Sequence, residues 1–324
     1  MKLFRNILLA VLALLLVSGA GGYFYMRKKF EPAANQLAVT GLPTTSAFVW
    51  YAGSARPVVP HAALLVPVTL PGCPRTCYLQ FDTGAPTSLL YANSLAVLRR
   101  HYPATAQTLL PRADTLHNVA FTLGQARVQA RRLRALPYGA SELPADSTAP
   151  FIIGTLGADV LDGRVMVLDY ARQRFSLSTQ APDSLLPRTE FVPLDYASRR
   201  VLLTAQVLGK TEKLLFDSGS SAFALLTSQA VWQQMARPQA PVQTAASNSM
   251  GRQLTTYTTA TEADVQLSKA AIPLGTVTYV EGTSLMENLL MRFSGMGGML
   301  GNEPFSQQTI ILDVRGGRFG VVRQ

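Results

Sequence analysis

The chain is poor in the residues that build metal and disulfide sites. Its 324 residues include only two cysteines and three histidines. Two cysteines exclude a disulfide-rich small scaffold and a four-cysteine zinc site. The histidines His61, His101 and His117 lie far apart without ligand spacing. We therefore expect neither a metal nor another cofactor.

Charge is also scarce, at 15% of residues, whereas 48% are apolar, which excludes a disordered chain and suffices for packed cores. The formal net charge of +10 is concentrated at the start, because the first 29 residues hold five basic side chains and no acid. A second basic cluster comprises Arg127, Arg131, Arg132 and Arg134. We interpret this cluster as a solvent-exposed face and expect no nucleic-acid partner.

Residues 1–29 are predicted to be a membrane anchor or a signal segment. Ile7–Met26 carries no charge, and as a helix of 20 residues it would match the hydrocarbon thickness of a bilayer. Aromatic residues 23–25 followed by Arg27–Lys29 favour a retained anchor. The alternative is a signal peptide cleaved after Ser18 and Ala20, which gives a secreted protein. We favour a membrane-anchored protein with an extracytoplasmic domain, and interpret residues 30–47 as a linker.

Cys73 and Cys77 flank three residues between two predicted strands. A hairpin turn there would bring them within disulfide reach, which suits an oxidising compartment. The alternative is two unpaired thiols on a turn.

The chain contains an internal repeat. Residues 151–177 align with residues 295–321 at an offset of 144, and residues 79–84 align with residues 214–219 at an offset of 135. The nine additional residues of the second copy are expected within the Ser/Thr/Gln-rich stretch 243–261. A repeat of this length is too long for a solenoid unit and indicates a duplicated lobe.

Each copy is predicted to be mainly β-structure. One hairpin is expected at Leu64–Leu70 and Cys77–Phe81, and the other at Val201–Val207 and Lys213–Phe216. Tyr91–Tyr102 and Thr227–Ala236 are the best helical segments. The hinge between the copies is expected at Ser178–Thr189. We assign residues 48–182 to an N-terminal lobe and residues 183–324 to a C-terminal lobe.

Two aspartates end apolar strands at equivalent places of the repeat, Asp82 in LQFDTGA and Asp217 in LLFDSGSS. Ionisable groups at such positions are costly unless they have a role. If the repeats are related by a pseudo-two-fold axis, the two carboxyl groups would meet and share one proton. One would then act as a base toward water and the other as an acid toward a carbonyl oxygen.

These two motifs, each followed by a hydrophobic-hydrophobic-Gly element, resemble the signatures of aspartic proteases of the pepsin and retropepsin type. The resemblance covers about residues 48–324. It implies a bilobal, all-β acid-protease fold, with a peptide or protein substrate lying across the paired loops and no partner chain needed. The candidates for a flap over this cleft are Tyr102–Val119 and the second-copy insertion.

The resemblance also implies roles for individual residues. Asp82 and Asp217 would be catalytic. The supporting residues of the active-site loops would be Thr83, Gly84, Ser218, Gly219 and Ser220, with Gly157 and Gly301 in the loops behind the two turns. The predicted function is an aspartic endopeptidase; the alternative is an inactive, protease-like peptide-binding or scaffold protein of the cell envelope.

Overall fold

The computed structural model describes residues 31–52, 58–249, 252–282 and 296–323, together with a few isolated positions before residue 31. Residues Asn35–Gln324 form one compact unit and Met1–Ala34 another. Within the described part of the chain, no helix combines the length and the apolarity needed to cross a bilayer. The predicted anchor or signal segment lies almost entirely outside the described residues.

The protein is mainly β, with two sheets and two α-helices among the described residues. The helices are α1 (Ala92–His101) and α2 (Gln229–Met235). The strands of the first half are β1 (Leu37–Thr40), β2 (Thr44–Ala47), β3 (Val49–Tyr51), β4 (Ala63–Thr69), β5 (Cys77–Asp82), β6 (Leu89–Tyr91), β7 (Thr115–Leu123), β8 (Ala126–Leu136), β9 (Ile152–Gly157), β10 (Val165–Asp169) and β11 (Arg174–Ser178).

The strands of the second half are β12 (Thr189–Asp195), β13 (Leu202–Val207), β14 (Lys210–Phe216), β15 (Leu225–Thr227), β16 (Val242–Ser249), β17 (Arg252–Ala260), β18 (Asp264–Leu267), β19 (Ala270–Pro273), β20 (Thr276–Glu281), β21 (Met296–Leu300), β22 (Thr309–Asp313) and β23 (Arg318–Val322). An eight-stranded sheet has the order β1-β8-β6-β9-β5-β4-β3, with β7 on β4 and β8. A fifteen-stranded sheet has the order β16-β17-β20-β15-β21-β14-β13-β12-β23-β22-β10-β11-β2, with β18 on β13 and β19 on β18.

The sequence repeat recurs in the strand pairing. The hairpin β4–β5 corresponds to the hairpin β13–β14, as the alternation of apolar residues predicted. β5 then pairs in parallel with β9, and β14 pairs in parallel with β21. Both parallel pairs contain a register shift at the equivalent place, between Tyr78 and Leu79 and between Lys213 and Leu214. The C-terminal ends of β5 and β14 therefore lie in equivalent strand pairings in the two copies.

The two copies meet in one antiparallel strand pair. β10 pairs with β22 so that Val165 faces Asp313, Asp169 faces Thr309, and Val167 faces Ile311 at the centre. β11 and β23 flank this pair on either side, followed by β2 and β12. Since β10 and β22 are equivalent segments of the repeat, this register is symmetric about its centre.

The core lies beneath the ends of β5 and β14. Alternate residues of β5 point inward and are buried, ending with Phe81, which is fully buried. The last three residues of β14 are all buried, and the ring of Phe216 packs edge-on against Phe305 at 6.0 Å between centroids. Burying an aromatic side chain of this size stabilises the fold by roughly 2–3 kcal/mol, so the residue that follows each Phe is held at a fixed point.

The structure differs from the sequence prediction before residue 48. The predicted linker 30–47 contains β1 and β2, which pair with β8 and β11 respectively. Their backbone groups bond to neighbouring strands while few of their side chains are buried, among them Leu37 and Thr44. A short edge strand of this kind has little apolar alternation to read, which is why the sequence pattern missed it.

Candidate active site

Each of the two aspartates stands at the end of a buried strand and begins a tight turn. Asp82 is the last residue of β5, and Asp217 follows β14 directly. The carboxylate of Asp82 accepts a hydrogen bond from the Gly84 N–H at 2.8 Å, and that of Asp217 accepts one from the Gly219 N–H, also at 2.8 Å. The same backbone donor therefore fixes the orientation of each carboxyl group within its own turn.

Four reciprocal hydrogen bonds join the two turns. The N–H of Thr83 donates to Ser218 Oγ at 3.0 Å, and the N–H of Ser218 donates to Thr83 Oγ1 at 2.9 Å. The Thr83 hydroxyl donates onward to the carbonyl of Phe216 at 2.8 Å, and the Ser218 hydroxyl to that of Phe81 at 3.1 Å. Both hydroxyl residues are fully buried. The turns are thus locked to each other by a symmetric set of bonds shielded from water.

Each glycine of these turns lies against the carboxyl group of the other turn. A Cβ atom on Gly84 would stand less than 3.0 Å from both carboxylate oxygens of Asp217, and one on Gly219 would stand equally close to those of Asp82. No side chain fits in either place without displacing the acid. The absence of a side chain at these two positions is therefore what allows the turns to approach.

The surroundings of Asp82 raise its pKa to about 7. Burial is the largest cause, followed by the charge of Asp217 and a hydrogen bond with its side chain, whereas the N–H groups of Ala85 and Gly84 oppose the shift. Two carboxyl groups in such contact ionise in separate steps that belong to the pair. Below about pH 7 the pair therefore holds a proton that ordinary aspartates would have lost.

The two acids differ in one contact. The Ser220 hydroxyl donates to Asp217 Oδ2 at 2.9 Å, whereas the corresponding position of the first turn is Ala85, whose N–H reaches Asp82 at 3.1 Å. A donor to a carboxylate favours its ionised form. Asp217 therefore has a side-chain hydroxyl donor where Asp82 has a backbone N–H.

The two remaining glycines of the prediction lie directly behind the turns. A Cβ atom on Gly157 would stand 2.8 Å from the Ala85 carbonyl oxygen, and one on Gly301 would collide with the carbonyl oxygens of Ser220 and Phe223. The backbone N–H after Gly157 donates to the Ala85 carbonyl at 2.8 Å. The structure thus brings together all nine active-site residues named from the sequence.

A buried acid that the sequence reasoning did not single out supports the first turn. Asp159 accepts bonds from the Ser88 N–H at 2.9 Å and the Ser88 hydroxyl at 2.6 Å, and Ser88 Oγ accepts from the Gly157 N–H. Burial raises the pKa of Asp159, although the Ser88 bonds and the charge of Arg199 oppose the shift. In the sequence, the position of Asp159 two residues after Gly157 is the feature that could have identified it.

The second half of the chain supplies a cation to this region. The buried Arg199 pairs through Nε with Asp162 at 3.0 Å, and its Nη1 donates to the Pro86 carbonyl at 3.5 Å. The Tyr196 hydroxyl donates to Asp162 and to the Ala158 carbonyl. Ser198 and Arg199 both have left-handed backbone angles, with φ of 57° and 56°, a strained conformation held by its surroundings.

The second turn is supported without charge. The Asn302 side chain donates to the Ser218 carbonyl at 3.1 Å and to Ser221 Oγ at 2.7 Å, and accepts from the Tyr170 hydroxyl at 2.7 Å. Asn302 is the residue after Gly301, so it corresponds to Ala158 in the first copy. The two turns are therefore symmetric at the acids and asymmetric behind them.

A tyrosine borders the first turn at the end of β6. The Tyr91 hydroxyl lies 3.0 Å from Thr155 Oγ1, and its ring packs edge-on against Tyr138. Burial is the main reason that the pKa of Tyr91 is raised, and the nearby charge of Asp82 contributes. A hydroxyl pair thus lies beside one of the acids.

The predicted disulfide is not formed in the structure. Cys73 and Cys77 are both buried free thiols, and each donates weakly to the Arg75 carbonyl, at 3.5 and 3.7 Å. Burial and the neighbouring Cys73 raise the pKa of the Cys77 thiol. Pairing of the two cysteines stays a prediction. Among the described residues, no group of His, Cys, Asp or Glu side chains is arranged to hold a metal ion.

The two flap candidates have different structures. The second-copy insertion forms the long hairpin β16–β17, whose base pairs with β20. Residues 102–119 contain a 3₁₀ turn at Pro103–Thr105 and the start of β7. In comparisons with known proteins, no family model matches the chain, and no curated protein is significantly similar to it.

Proposed function

We propose that this chain is an aspartic endopeptidase, built from two similar β lobes, that hydrolyses peptide bonds of peptide or protein substrates. The observation that carries the proposal is the contact between the Asp82 and Asp217 carboxyl groups. Two buried acids that share a proton are a costly arrangement for a merely structural turn. They are, however, the arrangement that acid–base activation of water requires.

The contacts of the pair suggest how the work is divided. Asp217, which accepts the Ser220 hydroxyl, would act as the base that removes a proton from a water molecule. Asp82 would donate its proton to the oxygen of the substrate carbonyl as the water oxygen attacks the carbonyl carbon. As the resulting diol collapses, Asp82 takes back the proton of one diol hydroxyl, Asp217 gives its proton to the amine nitrogen, and the C–N bond breaks. The products are a carboxylic acid and an amine, and the pair again holds one proton.

Further features support the same reading. The symmetric pairing of β10 with β22 and the matching pairs β5–β9 and β14–β21 are consistent with two lobes at residues 48–182 and 183–324. A cleft between them would accept an extended peptide, and the hairpin β16–β17 is a candidate for its cover. Both acids lie in one chain, so the proposed active form is a monomer, anchored by its N-terminal segment with the domain outside the cytoplasm.

The test is peptidase activity of paired variants. Asp82→Asn and Asp217→Asn should each lower kcat by at least about a thousandfold, because each removes one partner of the proton transfer. A statine-type inhibitor should block the wild-type chain and bind neither variant tightly.

Asp169→Asn is the matched control. Asp169 also ends a β-strand, but its carboxylate accepts the N–H of Arg172 at 3.0 Å within a surface turn. The Asp169→Asn variant should retain full peptidase activity. Unchanged peptidase activity in both Asp82→Asn and Asp217→Asn would eliminate the proposed function, as would a wild-type chain that cleaves no peptide in a broad library.

A further inference from the structure

One face of the sheet is unusually basic. Along β8 the residues Ala126, Val128, Ala130, Leu133 and Ala135 are buried. The exposed residues between them are mostly arginines. We call this set the arginine face; it consists of Arg127, Arg131, Arg132 and Arg134.

Strand geometry brings the four arginines to the same side. The alternation of buried and exposed residues changes phase between Arg131 and Arg132, so both neighbours are exposed. At this point β7 contains Asn118, whose φ of 54° interrupts the regular strand. Without that change of phase, Arg132 and Arg134 would point into the core.

The arginine face has almost no acidic neighbours. The strands β1, β7 and β8, which carry and flank it, contain no Asp or Glu. The ion pair found on the face joins Arg134 to Asp114 at 3.7 Å, with side chains 67% and 63% exposed, and such a pair is weak. The residue that faces Arg132 across the hairpin is His117, so no acidic side chain lies opposite it.

The chain enters the domain at this face. β1 runs alongside β8, and the Arg131 N–H donates to the Gln36 carbonyl at 2.9 Å. Gln36 lies ten residues after Met26, where the uncharged run of the N-terminus ends. Ten extended residues span at most about 35 Å. A domain anchored by that run is therefore tethered next to its own most basic strand.

We propose that the arginine face docks on anionic lipid headgroups of the membrane that holds the N-terminal segment. The inference rests on the proposed anchor and is independent of peptidase activity. A basic side chain near an anionic bilayer favours the docked state by about fivefold, within a Debye length of about 8 Å. Four arginines on one face would set the orientation of the domain as well as its distance from the bilayer.

The experiment uses the full chain reconstituted in lipid nanodiscs. One set of discs contains phosphatidylcholine alone, and the other contains phosphatidylcholine and phosphatidylglycerol. Arginine accessibility is measured as the rate of phenylglyoxal modification, site by site, by mass spectrometry. We expect the four arginines of the face to react at least about fivefold more slowly in the anionic discs, and the difference to vanish at about 1 M salt.

Two variants separate a docking face from a general effect of charge. Glutamine at the four positions of the face should abolish anionic-lipid protection of the β7–β8 hairpin, measured by amide hydrogen exchange. Glutamine at four exposed arginines elsewhere, Arg172, Arg174, Arg200 and Arg315, removes the same charge and should leave that protection intact. Thermal unfolding of both variants checks that the surface changes preserve the fold.

Several outcomes would overturn the proposal. Equal modification rates in neutral and anionic discs would exclude docking, and so would a control variant that loses protection as fully as the face variant. Failure of the chain to remain in neutral discs would remove the anchor on which the inference depends. Protection by RNA without protection by anionic lipid would assign the face to a different polyanion.

Discussion

At the scale of single residues, the placement of the two acids depends on two hydroxyl groups. Thr83 and Ser218 bond reciprocally across the turns, and each also satisfies a buried carbonyl of the other strand. Removing one hydroxyl would leave a buried donor and a buried acceptor without partners. Each orphaned group costs about 1–3 kcal/mol.

Thr83→Val therefore provides a test of this lock. It keeps the shape of the side chain but leaves the Ser218 N–H and the Phe216 carbonyl unpaired, so we expect a loss of about 2–4 kcal/mol in the free energy of unfolding. Thr83→Ser retains the hydroxyl and should lose less than about 1.5 kcal/mol. Urea denaturation measures both. Equal losses for the two variants would show that the methyl group, and not the hydrogen bonds, matters here.

The sequence pointed to these residues because each signal was local. A run of apolar residues, then Asp, a hydroxyl residue and Gly, occurs twice in equivalent surroundings, and the repeat fixed their correspondence. Ser88, Asp159 and Arg199 were missed because their relationship is not local: they come from three separate segments, and only the folded chain brings them together. No periodic pattern in the sequence predicts a contact between segments so far apart in the chain.

At the scale of elements, strands with clear alternation were predicted to within a few residues. The hairpins β4–β5 and β13–β14 lie within three residues of the expected boundaries, and Gly124 turns between β7 and β8 with a φ of 60°. The helix α2 begins after Ser228, whose side chain caps it by accepting the Val231 N–H. β1 and β2 were missed because their stability comes from pairing at sheet edges.

The turn that carries Arg199 makes a contribution to the free energy of unfolding that can be measured separately. Arg199→Met leaves the partly buried Asp162 without its cation, and we expect a loss of about 2–3 kcal/mol in the free energy of unfolding. Arg172→Met is the matched control, because Arg172 also pairs with an aspartate, Asp169, but its own side chain is 77% exposed. Its loss should stay below about 1 kcal/mol.

Chemical denaturation at neutral pH measures the loss in the free energy of unfolding for both variants. If Arg199→Met and Arg172→Met were equally mild, the ionic group behind the first turn would have no role in holding it. An equal and large loss in both would instead point to a general dependence on arginine charge.

At the scale of the whole molecule, the two copies are joined symmetrically through β10 and β22, and the acids meet where equivalent strands end. The sequence indicated the duplication, but it did not indicate the asymmetry behind the turns, ionic on one side and neutral on the other. That difference lies in side chains without counterparts in the repeat. It offers a physical basis for unequal acids in a nearly symmetric frame.

The shared proton also links the stability of the whole molecule to pH. Because the pKa of Asp82 is raised from 3.8 to about 7, the folded chain binds a proton in this range that the unfolded chain has released. Stability should therefore fall as the pH rises from about 4 to about 7, and then level off.

Asp82→Asn removes this linkage. Relative to the wild type, the variant should gain about 1–3 kcal/mol in the free energy of unfolding between pH 4 and pH 8. Thermal and urea unfolding at both pH values, with Asp169→Asn as the control, would measure the difference. A gain that is independent of pH would contradict the linkage.

The most direct test of the shared acid pair is a carboxyl titration by carbon NMR with labelled aspartate. We predict one carboxyl group that titrates near pH 7 in the wild-type chain and moves down by about one unit or more in Asp217→Asn, where the neighbouring charge is gone. A wild-type spectrum in which Asp82 titrates below pH 5, unaffected by Asp217→Asn, would contradict the account.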